Sequence, residues 1–155
     1  MRIGLISDTH GKLRRQVFTA FEDVDRILHA GDIGEHDLLV ELEAIAPVTA
    51  VYGNTDRPEV RQHVEEVAEL DAAGHRVAVI HGHQLGMPKP EGLRAALPDA
   101  DIIVYGHTHR PLVDRGDGAL VVNPGAAGAV RFGLEPSVAI LSFDDGPRIE
   151  LIDLT

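Results

Sequence analysis

The chain has 155 residues with an apolar fraction of 44 %, no cysteine, no tryptophan and a formal net charge of −11. That is apolar material enough for one domain with a real core, and the missing cysteines exclude a disulfide framework and restrict any metal to nitrogen and oxygen ligands. The acidity argues against extended DNA or RNA as a partner, because a phosphate backbone wants the opposite sign; a small phosphorylated ligand held by local positive charge stays compatible with it.

No apolar run reaches membrane length, and the stretch before the first polar residues is too short for a signal peptide. A cytoplasmic protein with no membrane partner is the expectation. Lysine occurs only at Lys12 and Lys89, against twelve arginines.

Residues 2–7, "RIGLIS", read as a short buried strand. Apolar residues at 13, 17, 18 and 21 predict a helix within 12–23. A second strand covers 24–32, "VDRILHAGD", and a second helix 35–45, ended near Pro47. A third strand runs through 47–56, "PVTAVYGNTD". This β-α-β-α-β order predicts parallel strands joined by helical crossovers.

The second half changes character. A hairpin is predicted around Ala72-Ala73-Gly74, a short helix over 91–97 closed by Pro98, and an apolar strand in 100–109, "ADIIVYGHTH". Two further hairpins turn at Gly-Asp-Gly (116–118) and Asp-Asp-Gly (144–146). With no linker, repeat or composition break, the expectation is a single α/β domain over residues 1–155 with two sheets packed together.

The chemistry lies just beyond the end of each predicted strand. Asp8 and His10 come after the first, Asp32 after the second, Asn54 after the third, His81 after the hairpin, and His107 and His109 after the strand at 101–105. Gly31, Gly53, Gly82 and Gly106 stand beside them, where tight turns and close backbone approach are useful. In α/β sheets, ligands bind beyond the carboxyl ends of the strands, so these loops should converge on one rim. Two carboxylates, one amide and four imidazoles are too many for one tetrahedral ion. They suit two metals that share a bridging carboxylate, a device that clamps the attacking and leaving oxygens of phosphoryl transfer with ions roughly 3.5–4 Å apart. Buried carboxylates at a strand end are then offset by divalent cations.

Taken singly these motifs are weak. An Asp-x-His or a Gly-Asn turn is common without a metal, and "GHTH" is only somewhat stronger. The signal is the joint pattern. Of the other histidines, His29 lies inside the second strand and reads as a core or supporting residue, while His36, His63 and His75 read as surface positions. His83, two residues beyond His81 in "HGH", is open to a substrate-facing role or a structural one.

The ordered set "ISDTHG", "HAGD", "YGNTD", "HGH", "GHTHRP" and "NPGA" resembles the calcineurin-like metallophosphoesterases, and in particular their small bacterial and archaeal phosphodiesterase branch. The resemblance implies a four-layer αββα sandwich, two packed mixed sheets flanked by helices. It implies that Asp8, His10 and His109 hold one metal and Asn54, His81 and His107 the other, with Asp32 bridging. Family members use Mn²⁺, Fe, Zn, Co or Ni; Mn²⁺ is expected to support activity here. A bridging water would lose a proton to become the attacking hydroxide, with Asp32 and Asn54 in catalytic roles and Asn54 and Arg110 as phosphate contacts. The resemblance also suggests a homo-oligomer, although no motif marks an interface.

One position departs from the larger relatives. They carry a leaving-group-protonating His directly after the Asn, where this chain has Thr55; the small branch usually has Cys there. Thr donates a proton poorly near neutral pH, so hydrolysis should favour good leaving groups unless His83 or a metal assists. The expected function is a dinuclear-metal phosphodiesterase acting on a small phosphodiester. A scaffold module of the same fold is the alternative, as in a eukaryotic retromer subunit with a degraded metal site, and a phosphomonoesterase is a third reading. All seven ligand positions are filled by competent residues, which favours the enzyme.

Overall fold

The computed structural model describes residues 1–155. Two five-stranded mixed sheets lie face to face. The first holds β1 (Arg2–Ile6), β2 (Arg26–His29), β3 (Val48–Ala50), β9 (Ser137–Ser142) and β10 (Arg148–Asp153), in the order β10-β9-β1-β2-β3. The second holds β4 (Val67–Ala72), β5 (His75–Ile80), β6 (Ile102–Val104), β7 (Leu112–Asp114) and β8 (Leu120–Asn123), in the order β4-β5-β6-β8-β7. Helices α1 (Arg15–Ala20) and α2 (His36–Glu43) cover the outside of the first sheet, and α4 (Pro90–Ala96) that of the second.

The inner strands β1, β2, β6, β8 and β9 read as nearly unbroken apolar runs because both of their faces are buried, whereas edge strands such as β10 are exposed on much of their length. Successive side chains alternate between two cores. Ile3 and Leu5 of β1 and Leu28 of β2 meet Val77, Val79, Ile102, Val104 and Val122 between the sheets. Ile6 and Ile27 point the other way, onto Val17, Phe21, Leu38, Leu39 and Leu42 of the helical layer. In the second sheet Ile80, Ile103 and Val121 turn outward onto Leu93 of α4. The helix–sheet–sheet–helix layering expected from the resemblance is present.

Phe21 shows how closely the outer layer is fitted. It is fully buried, and a side chain at Gly4 of β1 would come within 2.9 Å of its ring. Phe21→Ala should therefore leave a cavity the neighbours cannot fill and cost about 3–5 kcal/mol, read as a lower urea midpoint with an unchanged m-value.

β1, β2 and β3 pair in parallel, as the β-α-β-α-β order required, and the three predicted hairpins form as β4–β5, β7–β8 and β9–β10. The first helix is shorter than the predicted 12–23. Its N-cap residue, Arg14, is extended and offers no capping hydrogen bond, and no acidic residue occupies the first turn, so nothing at the N-terminus favours further helix. Two short elements are not foreshadowed by the periodicity of the chain, a single turn α3 (Pro58–Arg61) begun by proline and a 3₁₀ turn at His83–Leu85. No helix is long and apolar enough to cross a membrane.

Candidate metal centre

The carboxyl ends of β1, β2, β3, β5 and β6 face one rim, and short backbone bonds lace their loops together. Asp8 N–H donates to Gly31 O (3.0 Å), His10 N–H to Asp32 O (2.9 Å) and Gly11 N–H to Ile33 O (2.8 Å). Within the second sheet, Gly106 N–H donates to His81 O (3.0 Å), and across the two sheets His107 N–H donates to Asp8 Oδ2 (3.1 Å).

Two groups of ligand atoms result, each within 4.8 Å: Asp8, His10 and His109, and Asp8, Asp32 and His81. Asp8 Oδ1 lies 3.4 Å from His109 Nε2 and 3.9 Å from both His10 Nε2 and His81 Nε2. Asp8 is common to both groups, and Asp32 Oδ2 of the second lies 3.3 Å from His81 Nε2 and 3.7 Å from His10 Nε2 of the first. The other predicted ligands stand at the edge. The His107 ring is 5.2 Å from that of His81, and Asn54 is exposed in the loop beside Asp32, where the next residue's N–H, that of Thr55, donates to Asp32 Oδ1 (3.0 Å). His83 is half-buried, its ring 5.4 Å from that of His81. Arg110 is exposed.

Strain marks the same residues. Asp8, His10, Asp32, His107 and His109 all have positive φ, between 47° and 70°. Non-glycine residues adopt this conformation at a cost of order 1–3 kcal/mol each and keep it only where the surroundings enforce it. Here it folds each loop back sharply so that the side chain meets the rim. Two glycines make room. A side chain at Gly53 would strike the Asp32 carboxylate, and one at Gly106 would fall 2.7 Å from Asp8 Oδ2 and closer still to Ser7 Oγ.

The charges at the rim are mutually adjusted. Burial disfavours a charged Asp32, but neighbouring His81 and the Thr55 N–H outweigh it and hold the carboxyl well below the usual carboxylate range. Burial likewise opposes a charged His81, yet Asp32 and Asp8 prevail and raise its pKa. For His10, His83 and His107 desolvation wins and lowers the pKa.

Whether these residues fit a cation is answered by what they leave unsatisfied. Asp8 Oδ1, His10 Nε2 and His81 Nε2, atoms that face one another in the cluster, are buried and have no hydrogen-bond partner. Each such group costs about 1–3 kcal/mol, and several together where two carboxylates meet imidazoles describe a cation site. His81 Nδ1 contacts Ala30 O at 2.7 Å. A ring nitrogen meets a carbonyl only as a donor, which leaves Nε2 with its lone pair free, the arrangement metal-ligating histidines show.

Three supporting residues were not assigned from the sequence. Asp56, buried, accepts from Ile33 N, Gly34 N and Gly53 N (3.2, 3.0 and 2.9 Å) and so ties the second loop to the third. Its only sequence signal was its place in "YGNTD". Ser7 donates to Asp8 Oδ2 (2.7 Å). Asn123 of "NPGA" donates to Gly106 O (3.1 Å) and contacts Thr108 Oγ1 (3.0 Å). His29, read as core or support, is fully buried, and burial pushes its pKa down to about 4. The neutral ring accepts from Gly31 N at Nδ1 (3.1 Å) and donates from Nε2 to Thr9 Oγ1 (3.0 Å), which donates on to Ile33 O (2.9 Å). His29 thus bridges the loops that carry Asp8 and Asp32.

Comparison with known proteins agrees with this geometry. Residues 1–146 match the calcineurin-like phosphoesterase superfamily domain. A probable metallophosphoesterase of Methanothermobacter thermautotrophicus is 38 % identical over 152 residues, covering 93 % of this chain and 87 % of that protein. A phosphodiesterase of Methanocaldococcus jannaschii is 29 % identical, covering 98 % and 99 %. Among solved structures, an archaeal phosphodiesterase superposes with a TM-score of 0.78 at 25 % identity, over 98 % of this chain and 100 % of that one. Vps29 of Entamoeba histolytica, complexed with Zn²⁺, shares the fold with a TM-score of 0.81 at 22 % identity, over the whole of both chains.

Proposed function

Since the chain belongs to the calcineurin-like phosphoesterase superfamily, we propose that it is a dinuclear-metal phosphodiesterase acting on a small phosphodiester. The observation that carries this is the convergence of strand-end loops that leaves the mutually facing, buried Asp8 Oδ1, His10 Nε2 and His81 Nε2 without hydrogen-bond partners, with His109 Nε2 3.4 Å from Asp8 Oδ1. Asp8, His10 and His109 would hold one ion and Asn54, His81 and His107 the second, with Asp32 shared. Divalent cations in such a site lower the pKa of water and neutralise charge on phosphoryl oxygens. Mn²⁺ is the ion of choice for the assay; Fe, Zn, Co and Ni satisfy the same donors.

The remaining steps belong to the protein. Ala30 O orients His81, and Thr55 N–H orients Asp32. Asn54 and Arg110 are the proposed phosphoryl contacts, both exposed and free to meet a ligand. His83, its ring 5.4 Å from that of His81, is the imidazole proposed to exchange a proton with the leaving oxygen. Thr55 is an anchor for Asp32 rather than an acid, so esters with good leaving groups should be cleaved best.

The test is hydrolysis of bis-p-nitrophenyl phosphate by chelator-stripped protein with and without Mn²⁺, with p-nitrophenyl phosphate alongside. Mn²⁺-dependent cleavage of the diester in preference to the monoester is expected. Preference for the monoester would reassign the chain as a phosphomonoesterase. No cleavage with any divalent ion, in protein shown to be folded, would overturn the enzyme reading in favour of an interaction role.

A further inference from the structure

Beside the metal-site histidines the surface opens into a cleft of about 480 Å³, a size that holds a drug-sized organic group. One wall is the segment after β6, with Tyr105, His107 and Arg110; the other is the loop of Met87, Pro88 and Lys89. Phe132 also lines it, its ring 5.7 Å from that of His109. Both walls are fixed to the metal-site loops. Gly82 follows His81 at φ +103°, and a side chain there would come within 3.1 Å of Pro88 and 3.6 Å of Tyr105. A ligand whose phosphorus is held at the cluster would therefore extend into this cleft.

The lining is unlike the rest of the molecule. In a chain of net charge −11, no acidic residue borders the cleft, whereas Lys89 and Arg110 do. Lys89 is one of only two lysines, and neither it nor Arg110 joins an ion pair. Between these cations, Met87 and Phe132 are 72 % and 78 % exposed. Large apolar side chains held in water beside free cations complement a ligand that is both flat and anionic.

We infer that the cleft binds the arm of the phosphodiester that does not leave, and that the preferred arm is nucleotide-like, an aromatic base with a second anionic group. The base stacks against Phe132 and Met87, and the second anion meets Lys89, while Arg110 stays with the scissile phosphoryl group. This rests on the phosphodiesterase proposal for its catalytic arm, but the cleft itself can be probed by binding.

Three substrates share a p-nitrophenolate leaving group and differ only in the other arm: methyl p-nitrophenyl phosphate, thymidine 5′-(p-nitrophenyl phosphate), and the same thymidine ester carrying a 3′-phosphate. With Mn²⁺, kcat/KM should rise about tenfold from methyl to thymidine, the gain of one stacked base. A further rise of about tenfold should accompany the 3′-phosphate. Phe132→Ala should remove the first gain, and Lys89→Ala the second. Equal kcat/KM for the three, or ratios unchanged in the variants, would overturn the proposal. Calorimetric binding of thymidine 3′,5′-bisphosphate, with and without Mn²⁺, separates the two readings. Binding weakened at least about tenfold in Lys89→Ala supports the cleft whether or not the chain hydrolyses esters. Absent binding, or binding unaltered in that variant, sinks it. Failure to cleave even the methyl ester with any divalent ion counts against the phosphodiesterase reading alone.

Discussion

Asp32→Ala should abolish Mn²⁺-dependent diester hydrolysis, with a loss of at least about a thousandfold, while the protein stays folded. The loss of activity comes from position. Asp32 Oδ2 lies between His10 and His81, 3.7 and 3.3 Å from their Nε2 atoms, and no other carboxylate besides Asp8 joins the cluster. Removing it takes away half of the negative charge that attracts cations. The retained fold is expected from the partners Asp32 leaves behind: His81, whose Nδ1 stays held by Ala30 O and whose ring can stay neutral once the carboxylate is gone, and the N–H of exposed Thr55, which water can satisfy.

Thermal unfolding supplies a readout independent of turnover. Mn²⁺ at a hundredfold excess over its Kd should stabilise the wild type by about 2.7 kcal/mol, a rise in Tm of roughly 5–10 °C for a chain of this size. The variant should show little of that rise. His107→Ala should also be inactive, whereas His36→Ala, which lies outside the cluster, should retain activity. Full activity of Asp32→Ala would remove Asp32 from the bridging role.

Gly106→Ala should damage both stability and the site. The added methyl group would fall 2.7 Å from Asp8 Oδ2 and closer to Ser7 Oγ, and both residues are buried. Neither can retreat, because Ser7 donates to Asp8 Oδ2 and His107 N–H donates to the same oxygen. Overpacking of this kind costs about 1–3 kcal/mol or somewhat more, and the displaced Asp8 belongs to both ligand groups. A lower urea midpoint together with weakened Mn²⁺ binding is the expected pair of results. Gly92→Ala is the control. Its added methyl would meet only the end of the Leu85 side chain, at 3.1 Å, and alanine favours the helix, so its stability should change little. A Gly106→Ala protein as stable and as metal-competent as the wild type would contradict the packing described for this rim.

Much of the site was legible in the chain because its chemistry is written locally. An apolar run buried on both faces has to end, and where it ends in Asp, His or Asn beside Gly the polar group is delivered to the carboxyl rim whichever neighbour the strand acquires. That is why Asp8, His10, Asp32, His81 and His109 could be named from spacing and do come together. The two-sheet architecture was legible for a related reason: β-α-β order fixes parallel pairing in the first half, and Gly-rich turns fix hairpins in the second.

Other features depend on contacts distant in sequence, and these only the tertiary structure decided. Nothing local says that β8 pairs in parallel with β6 and places β7 at the sheet edge. Asp56 reads as one more turn residue until the second and third loops are seen donating to it. The positive φ of five candidate ligands has no local signature either, since only a few per cent of non-glycine residues adopt it, Asp and His more readily than most; here the surrounding loops enforce it. The cleft beside His107 draws its walls from segments whose only common property is the surface they face. Sequence determined which groups reach the rim, because strand periodicity and chain breaks are short-range; the structure decided how those groups are held and what lies next to them, because that depends on long-range packing.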